Sequence, residues 1–212
     1  MKFEEFLKSI EYLPVIETKI LLAGTPKTNP TRVQISRWEK AGKLIQLKRG
    51  IYLLAEPYRK VAIYELYLAS ILKKPSYVSL EKALEYHGLI PEAVSVFTSV
   101  TPARSGRFAS KVGVFDYKHI KTSLFWGYNS VTVNKQTAFI ASPEKALLDF
   151  FYLKGVKISA DFLIELRLQN YEGINLNKLF TYAKQFKKPR ILYAAEIIKR
   201  YISSNRDEEK TL

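Results

Sequence analysis

Along residues 28–54 the spacing of apolar side chains switches from helical to alternating, and the switch marks a helix followed by a hairpin. Asn29-Pro30 is a start signal, because Asn accepts hydrogen bonds from the free first-turn amides and proline at the first helical position forfeits no helical bond. At about 100° per residue, Thr31, Ile35 and Trp38 fall on one side, predicted to face the core. Arg32, Val33, Ser36, Arg37 and Lys40 fall on the other. Gly42 supplies the stop. Lys-Leu-Ile-Gln-Leu over 43–47 then alternates, Lys48-Arg49-Gly50 reads as a tight basic turn, and residues 51–54 return as a second strand.

Upstream, Phe3, Phe6, Leu7 and Ile10 recur at helical spacing, so residues 2–12 are predicted to form a helix ended by Pro14. A short helix over 16–23 and a loop at Gly24-Thr25-Pro26 complete the approach. Three helices and a hairpin predict a winged helix-turn-helix over residues 1–57. Its geometry suits double-stranded DNA, since the major groove admits one helix while a flanking two-stranded turn reaches the neighbouring backbone. On that reading Arg32 and Arg37 offer forked donors to guanine edges or phosphates, Ser36 a hydroxyl, and Val33 an apolar contact to a thymine methyl. Lys40, Lys43, Lys48 and Arg49 meet phosphates. The competing reading is a solvated amphipathic helix beside an ordinary hairpin.

Glu56-Pro57-Tyr58 is a short junction. Beyond it, residues 60–73 are apolar around most of a helical circumference, which predicts a buried helix, and Ser79 is placed to cap a shorter one closed by Gly88. The period then changes: strands are predicted at 94–100, 112–117, 124–128, 131–134 and 137–140, with short turns at Asn129-Ser130 and Lys135-Gln136, giving a mainly antiparallel sheet. Ser142-Pro143-Glu144-Lys145 starts an apolar helix with a serine cap, a first-turn proline and a carboxylate near the positive helix end. Helices follow at 159–170, 175–186 and 189–203. The fold class is α+β: a winged helix-turn-helix, a mixed α/β domain with C-terminal helices over 58–204, and a disordered tail over 205–212.

The net charge of +14 favours a polyanionic partner. Residues 1–60 carry 12 basic and 6 acidic side chains, and residues 154–206 carry 11 and 4, so the surplus sits towards both ends. No apolar run reaches membrane-spanning length, and the acidic amphipathic start lacks a signal peptide's order, so a cytoplasmic protein without membrane contact is expected. There is no cysteine and only His87 and His119, which excludes disulfides and thiolate or histidine-rich metal centres. Gly-rich phosphate loops, nucleophile elbows and zinc-binding histidine pairs are missing, so no catalytic residue, metal or cofactor is expected. His87, beside Gly88, suits a structural bond to helix-end carbonyls. The alternative is a magnesium-dependent DNA nuclease built on Asp116-Tyr117-Lys118, which needs a further carboxylate from Glu81, Glu85 or Glu92.

The runs QISRWEKAGKLIQLKRGIYLL, SYVSLEKALEYHGLIPE, TSVTPAR, GVFDYKHI, FWGY and IASPEKALLDFFYL occur in this order. Together they resemble the AbiEi-type antitoxins of bacterial type IV toxin-antitoxin systems over about residues 5–155. The resemblance implies a DNA-binding winged-helix domain joined to an antitoxin domain. It also implies a repressor that binds inverted repeats in its own promoter, and antagonism of a nucleotidyltransferase toxin without a stable complex. On that pattern residues 32–40 correspond to the recognition helix and Lys48-Arg49-Gly50 to the wing. Residues 79–92 and 141–153 correspond to antitoxin scaffold.

Overall fold

The computed structural model describes residues 2–22 and 28–209. Helix α1 (Phe3–Ile10) buries Phe3, Phe6 and Ile10 and turns Glu4, Glu5 and Lys8 to solvent. Strand β1 (Ile16–Glu17), α2 (Thr18–Leu22), α3 (Thr28–Lys40), β2 (Leu44–Lys48) and β3 (Ile51–Leu54) follow. The strands form an antiparallel sheet of order β1-β3-β2. The helix predicted over 16–23 is therefore divided: Ile16 and Glu17 pair with Tyr52 and Ile51, so their backbone groups are spent on the sheet and α2 begins at Thr18. Ala23 and the loop at Gly24-Thr25-Pro26 lie outside the described residues.

Helix α3 starts at Thr28, which puts Pro30 in its first turn, and ends as predicted at Gly42 with a left-handed φ of 71°. The Lys43 N–H donates to the Trp38 carbonyl at 2.8 Å across that glycine. Ile35 and Trp38 are buried; Trp38 stacks on Phe6 at 4.6 Å and meets the edge of Phe3 at 5.4 Å. Along β3 the side chains alternate between two cores. Tyr52 and Leu54 join this aromatic cluster, while Leu53 joins Leu47 in the larger core of the remaining chain.

After a 3₁₀ turn (Glu56–Tyr58) come α4 (Glu65–Leu72), β4 (Tyr77–Val78), α5 (Leu80–Tyr86), β5 (Val96–Thr101), β6 (Gly106–Ser110), β7 (Gly113–His119), β8 (Tyr128–Val133) and β9 (Gln136–Ala141). The six-stranded sheet has order β6-β7-β5-β4-β9-β8, antiparallel except for the pairs β5/β7 and β4/β9. Taken with the helices, this is an α+β fold whose strand pairing is mainly antiparallel. The helix predicted from residue 60 begins only at Glu65, because the buried Gln136 amide donates to the Ala62 carbonyl (2.8 Å) and accepts from the Tyr64 N–H (3.0 Å). Residues 122–124 form a 3₁₀ turn where a strand from 124 was predicted. The predicted turn at Asn129-Ser130 lies inside β8; the hairpin reverses at Asn134-Lys135, both left-handed, as a two-residue primed turn requires. Strands β4 and β6 were not predicted: two residues show no period, and β6 lies at a sheet edge with only intermediate and exposed positions.

Helices α6 (Pro143–Lys154), α7 (Ala160–Glu165), α8 (Leu176–Gln185) and α9 (Pro189–Glu209) complete the chain, with α5, α8 and α9 packed around α6. Ser142 caps α6 and Asn175 caps α8 by accepting the Lys145 and Lys178 N–H groups. The helix predicted over 159–170 stops at Glu165, and the left-handed Arg167 and Asn170 turn the chain so that the Asn170 amide donates to the Gly88 carbonyl at 2.8 Å. The tail predicted from Asn205 is helical as far as Glu209.

Lys145 and Asp149, one turn apart on α6, form an ion pair with no solvent exposure. Asp149 also accepts the Tyr77 and Ser79 hydroxyls, both at 2.9 Å, and the Lys145 ammonium lies 4.7–5.6 Å from the rings of Trp126, Phe186 and Tyr77. Ser79 is thus drawn away from capping α5, and Thr98 Oγ1 accepts the Lys82 N–H instead. Burial pushes the Asp149 carboxyl up and the Lys145 ammonium down from their ordinary values, and each is the other's chief opposing influence. Asp149→Ala strands a buried ammonium and is expected to cost about 3–5 kcal/mol. Urea unfolding measures this; a loss under about 1 kcal/mol would show that Lys145 reaches water.

Glu144 links α6 to α8 by accepting from the Asn175 N–H (3.0 Å), Lys178 (2.9 Å) and the Ser142 hydroxyl (2.8 Å). Burial by itself raises its pKa, but these donors outweigh burial and hold it below 4.5. Burial holds His87 below 6.5. Both groups contribute stability that is present above the unfolded pKa and lost as pH falls. Urea midpoints are expected to decline below pH 6.5 and again below 4.5. Glu144→Gln should lower stability at neutral pH and flatten the second decline; an unchanged acid limb would remove Glu144 as its source.

Candidate nucleic-acid interface

The amphipathic spacing of α3 commits Ile35 and Trp38 to the core, and that choice leaves Arg32, Val33, Ser36, Arg37 and Lys40 exposed on the outer face. Val33 is 51% exposed, an apolar side chain in the middle of a cationic surface. Beside this face the β2–β3 turn closes on α2: the Thr18 N–H and hydroxyl both donate to the Gly50 carbonyl, at 2.9 and 3.2 Å. Gly50 has φ 84°, and an added Cβ would stand 3.1 Å from Thr18 Oγ1, so the turn needs glycine for conformation and for closeness.

Between α3 and the turn is a cleft of about 250 Å³ lined by Thr18, Arg32, Ile35, Arg49, Gly50 and Tyr52. Two guanidinium groups, Arg32 from the helix and Arg49 from the turn, share one concave surface. Among the described residues Arg32, Arg37, Lys40 and Arg49 have no carboxylate partner. The arrangement can hold a phosphate by forked donors in the cleft and present further donors along the helix.

Lys43 and Lys48, assigned to phosphates from the sequence, are placed differently. The Lys43 ammonium lies 4.3 Å over the Phe3 ring. The register of β2 shifts between Gln46 and Lys48, and this irregularity aims Lys48 at the second sheet. There its ammonium donates to the Leu72 carbonyl at 2.9 Å, at the end of α4 where helix polarity favours a cation, and lies 5.1 Å over Phe108. Arg49 is therefore the outward cation of the turn. At the far end of the chain Lys184, Lys187, Lys188, Lys199 and Arg200 are exposed, whereas Lys178 is held by Glu144.

The acidic groups required by the nuclease alternative do not converge. Asp116 pairs with Lys118 at 3.0 Å, while Glu81, Glu85 and Glu92 pair with Lys154, Lys82 and Arg167. Among the described residues no group of three metal-ligating side chains is found. His119 Nδ1 donates to the Ala103 carbonyl (3.0 Å), and His87 Nε2 to the Ala141 carbonyl on β9 (2.7 Å) instead of to its own helix end. No helix of the described residues is long and apolar enough to cross a membrane. Sequence reasoning missed the cleft's Thr18 and Tyr52, which only β1–β3 pairing brings to α3. It also missed the Lys145–Asp149 pair, although two charges at i,i+4 inside an apolar helix were a visible signal.

Lys48→Ala is expected to cost about 1 kcal/mol by leaving the Leu72 carbonyl without its charged donor. Arg49→Ala should stay within about 0.5 kcal/mol. Thermal melts compare the two, and the reverse order would place Lys48 in solvent. No family model and no curated protein matches the chain.

Proposed function

We propose that the chain is a sequence-specific DNA-binding protein that represses its own operon and acts as the antitoxin of a type IV pair with a nucleotidyltransferase toxin. The observation that carries the DNA-binding part is the cleft shared by Arg32 and Arg49 beside the unpaired outer face of α3. The winged helix-turn-helix reading of residues 1–57 is supported by the order of helices and strands, the β1-β3-β2 sheet and the glycine-closed turn flanking α3. Thirteen residues make α3 about 20 Å long, enough to lie along a major groove about 12 Å wide. Arg37, Ser36 and Val33 then face base edges, Lys40 meets the backbone, and Arg32 with Arg49 grips a phosphate. The target is double-stranded promoter DNA carrying inverted repeats.

The antitoxin part rests on the ordered motifs that resemble AbiEi-type antitoxins, with residues 58–204 as the antitoxin domain and no stable complex with the toxin. A cytoplasmic location follows from that role.

A mobility-shift titration on the chain's own upstream DNA tests the proposal. Arg37→Ala should lose about 1–3 kcal/mol and relax base preference, Arg49→Ala should reduce the salt slope by about one, and Lys48→Ala should leave binding intact. If Arg37→Ala and Arg49→Ala bind like the parent at physiological salt, this surface does not read DNA. Coexpression with a nucleotidyltransferase encoded alongside should restore growth; continued arrest removes the antitoxin half.

A further inference from the structure

A second cationic cavity, built from elements remote in sequence from the α3 cleft, opens between the 3₁₀ turn at Thr122–Leu124, α6 and the end of α8. Its volume is about 350 Å³; Lys121, Lys187 and Lys188 stand around it, with Ser123 at the rim and Tyr152 and Phe186 in the wall. Among the described residues no carboxylate lines it and none of the three lysines has an ion-pair partner. Three lysines without ion-pair partners lining one concavity give an anion several cationic partners at once.

The backbone bears the same mark. Lys187 immediately follows the helical Phe186 that ends α8 and has φ 51°, the left-handed position that glycine ordinarily fills after a helix. A lysine here keeps a charge at the cavity in a conformation that glycine would adopt with less strain. The wall is aromatic: Tyr152 pairs with Phe186 at 5.3 Å, and Trp126 backs Phe186 at 5.6 Å while its indole N–H donates to the Ser123 carbonyl at 3.0 Å.

Three point charges exceed what one phosphate monoanion needs, and a half-buried tyrosine lines the cavity beside them, an aromatic ring of the kind on which a planar base stacks. A duplex would spread its phosphates along an extended surface, whereas these groups converge on a single concavity of small-ligand size. We propose that this cavity binds a nucleoside di- or triphosphate, its phosphates between Lys121, Lys187 and Lys188 and its base against Tyr152. The site is independent of the DNA-binding reading of α3.

Isothermal titration of the full chain at physiological salt with ATP, GTP and inorganic pyrophosphate tests the assignment. A nucleotide is expected to bind saturably at one site, and Lys121→Ala with Lys188→Ala to weaken it by about tenfold or more. Tyr152→Leu should weaken nucleotide but not pyrophosphate, with Tyr152→Phe binding both as the parent does. Lys187→Gly should weaken nucleotide while raising the melting temperature, a pairing that a folding defect cannot produce. Absence of saturable binding, or affinity unchanged in the lysine variants, overturns the proposal. Equal affinity for pyrophosphate and nucleotide with Tyr152→Leu indifferent overturns the nucleotide class. Displacement of nucleotide by duplex DNA that binds through these same lysines assigns them to DNA and overturns it as well.

Discussion

A lysine and an aspartate sealed from water on the same helix constrain everything that packs around α6. Removing two charges from water costs several kcal/mol each unless every remaining donor and acceptor is matched. The matching groups come from separate places: Tyr77 on β4, Ser79 before α5, Trp126 before β8 and Phe186 at the end of α8. Each of these elements must be in register for the pair to be satisfied. Gly127 has φ 79°, and a Cβ there would stand 3.0 Å from Lys145 Cγ, so the chain beside Trp126 can close on the lysine stem only as glycine. Glu144, next to Lys145, extends the network to the start of α8. The polar pattern of α6 thereby specifies how the sheet and the C-terminal helices meet.

The same accounting decides which cations are left for a partner. Lys43, Lys48, Lys82, Lys145 and Lys178 are taken up by aromatic faces, carbonyls or carboxylates of the fold. Arg32, Arg37, Lys40 and Arg49 stay outward because α3 spends its inner face on Ile35 and Trp38 and the β2–β3 turn is drawn tight against Thr18. The formal charge of +14 therefore overstates the cationic surface at the N-terminal end, while the lysines after α8 remain open to solvent. The two faces of β3 couple these regions, with Tyr52 beside the cleft and Leu53 in the large core, so the cleft's wall is built on the same strand that seats the N-terminal sheet on the rest of the molecule.

The local chemistry of the chain was readable where one residue type had one use. The faces of α3, the stop at Gly42, and the cap at Ser142 all follow from spacing and capping within one or two turns. The reading failed where a polar side chain had a distant destination. Nothing within residues 60–64 announces that Gln136, 72 and 74 positions downstream of its partners, holds them extended. The irregularity before Lys48 likewise turns a cation that a regular strand would present to solvent, so the exposed and committed lysines of one basic turn could not be told apart.

By itself the sequence determined roughly where most helices lie, which face of α3 is apolar, and that a cationic helix is followed by a glycine turn, because periodicity and capping act between neighbours. Tertiary structure alone decided that Arg32 and Arg49 share a cleft, that Lys48 turns inward, and that Lys145 and Asp149 meet Tyr77 across 68 and 72 residues of chain. The destination of a charged side chain depends on which groups long-range packing brings within hydrogen-bonding reach, and no local pattern carries that information.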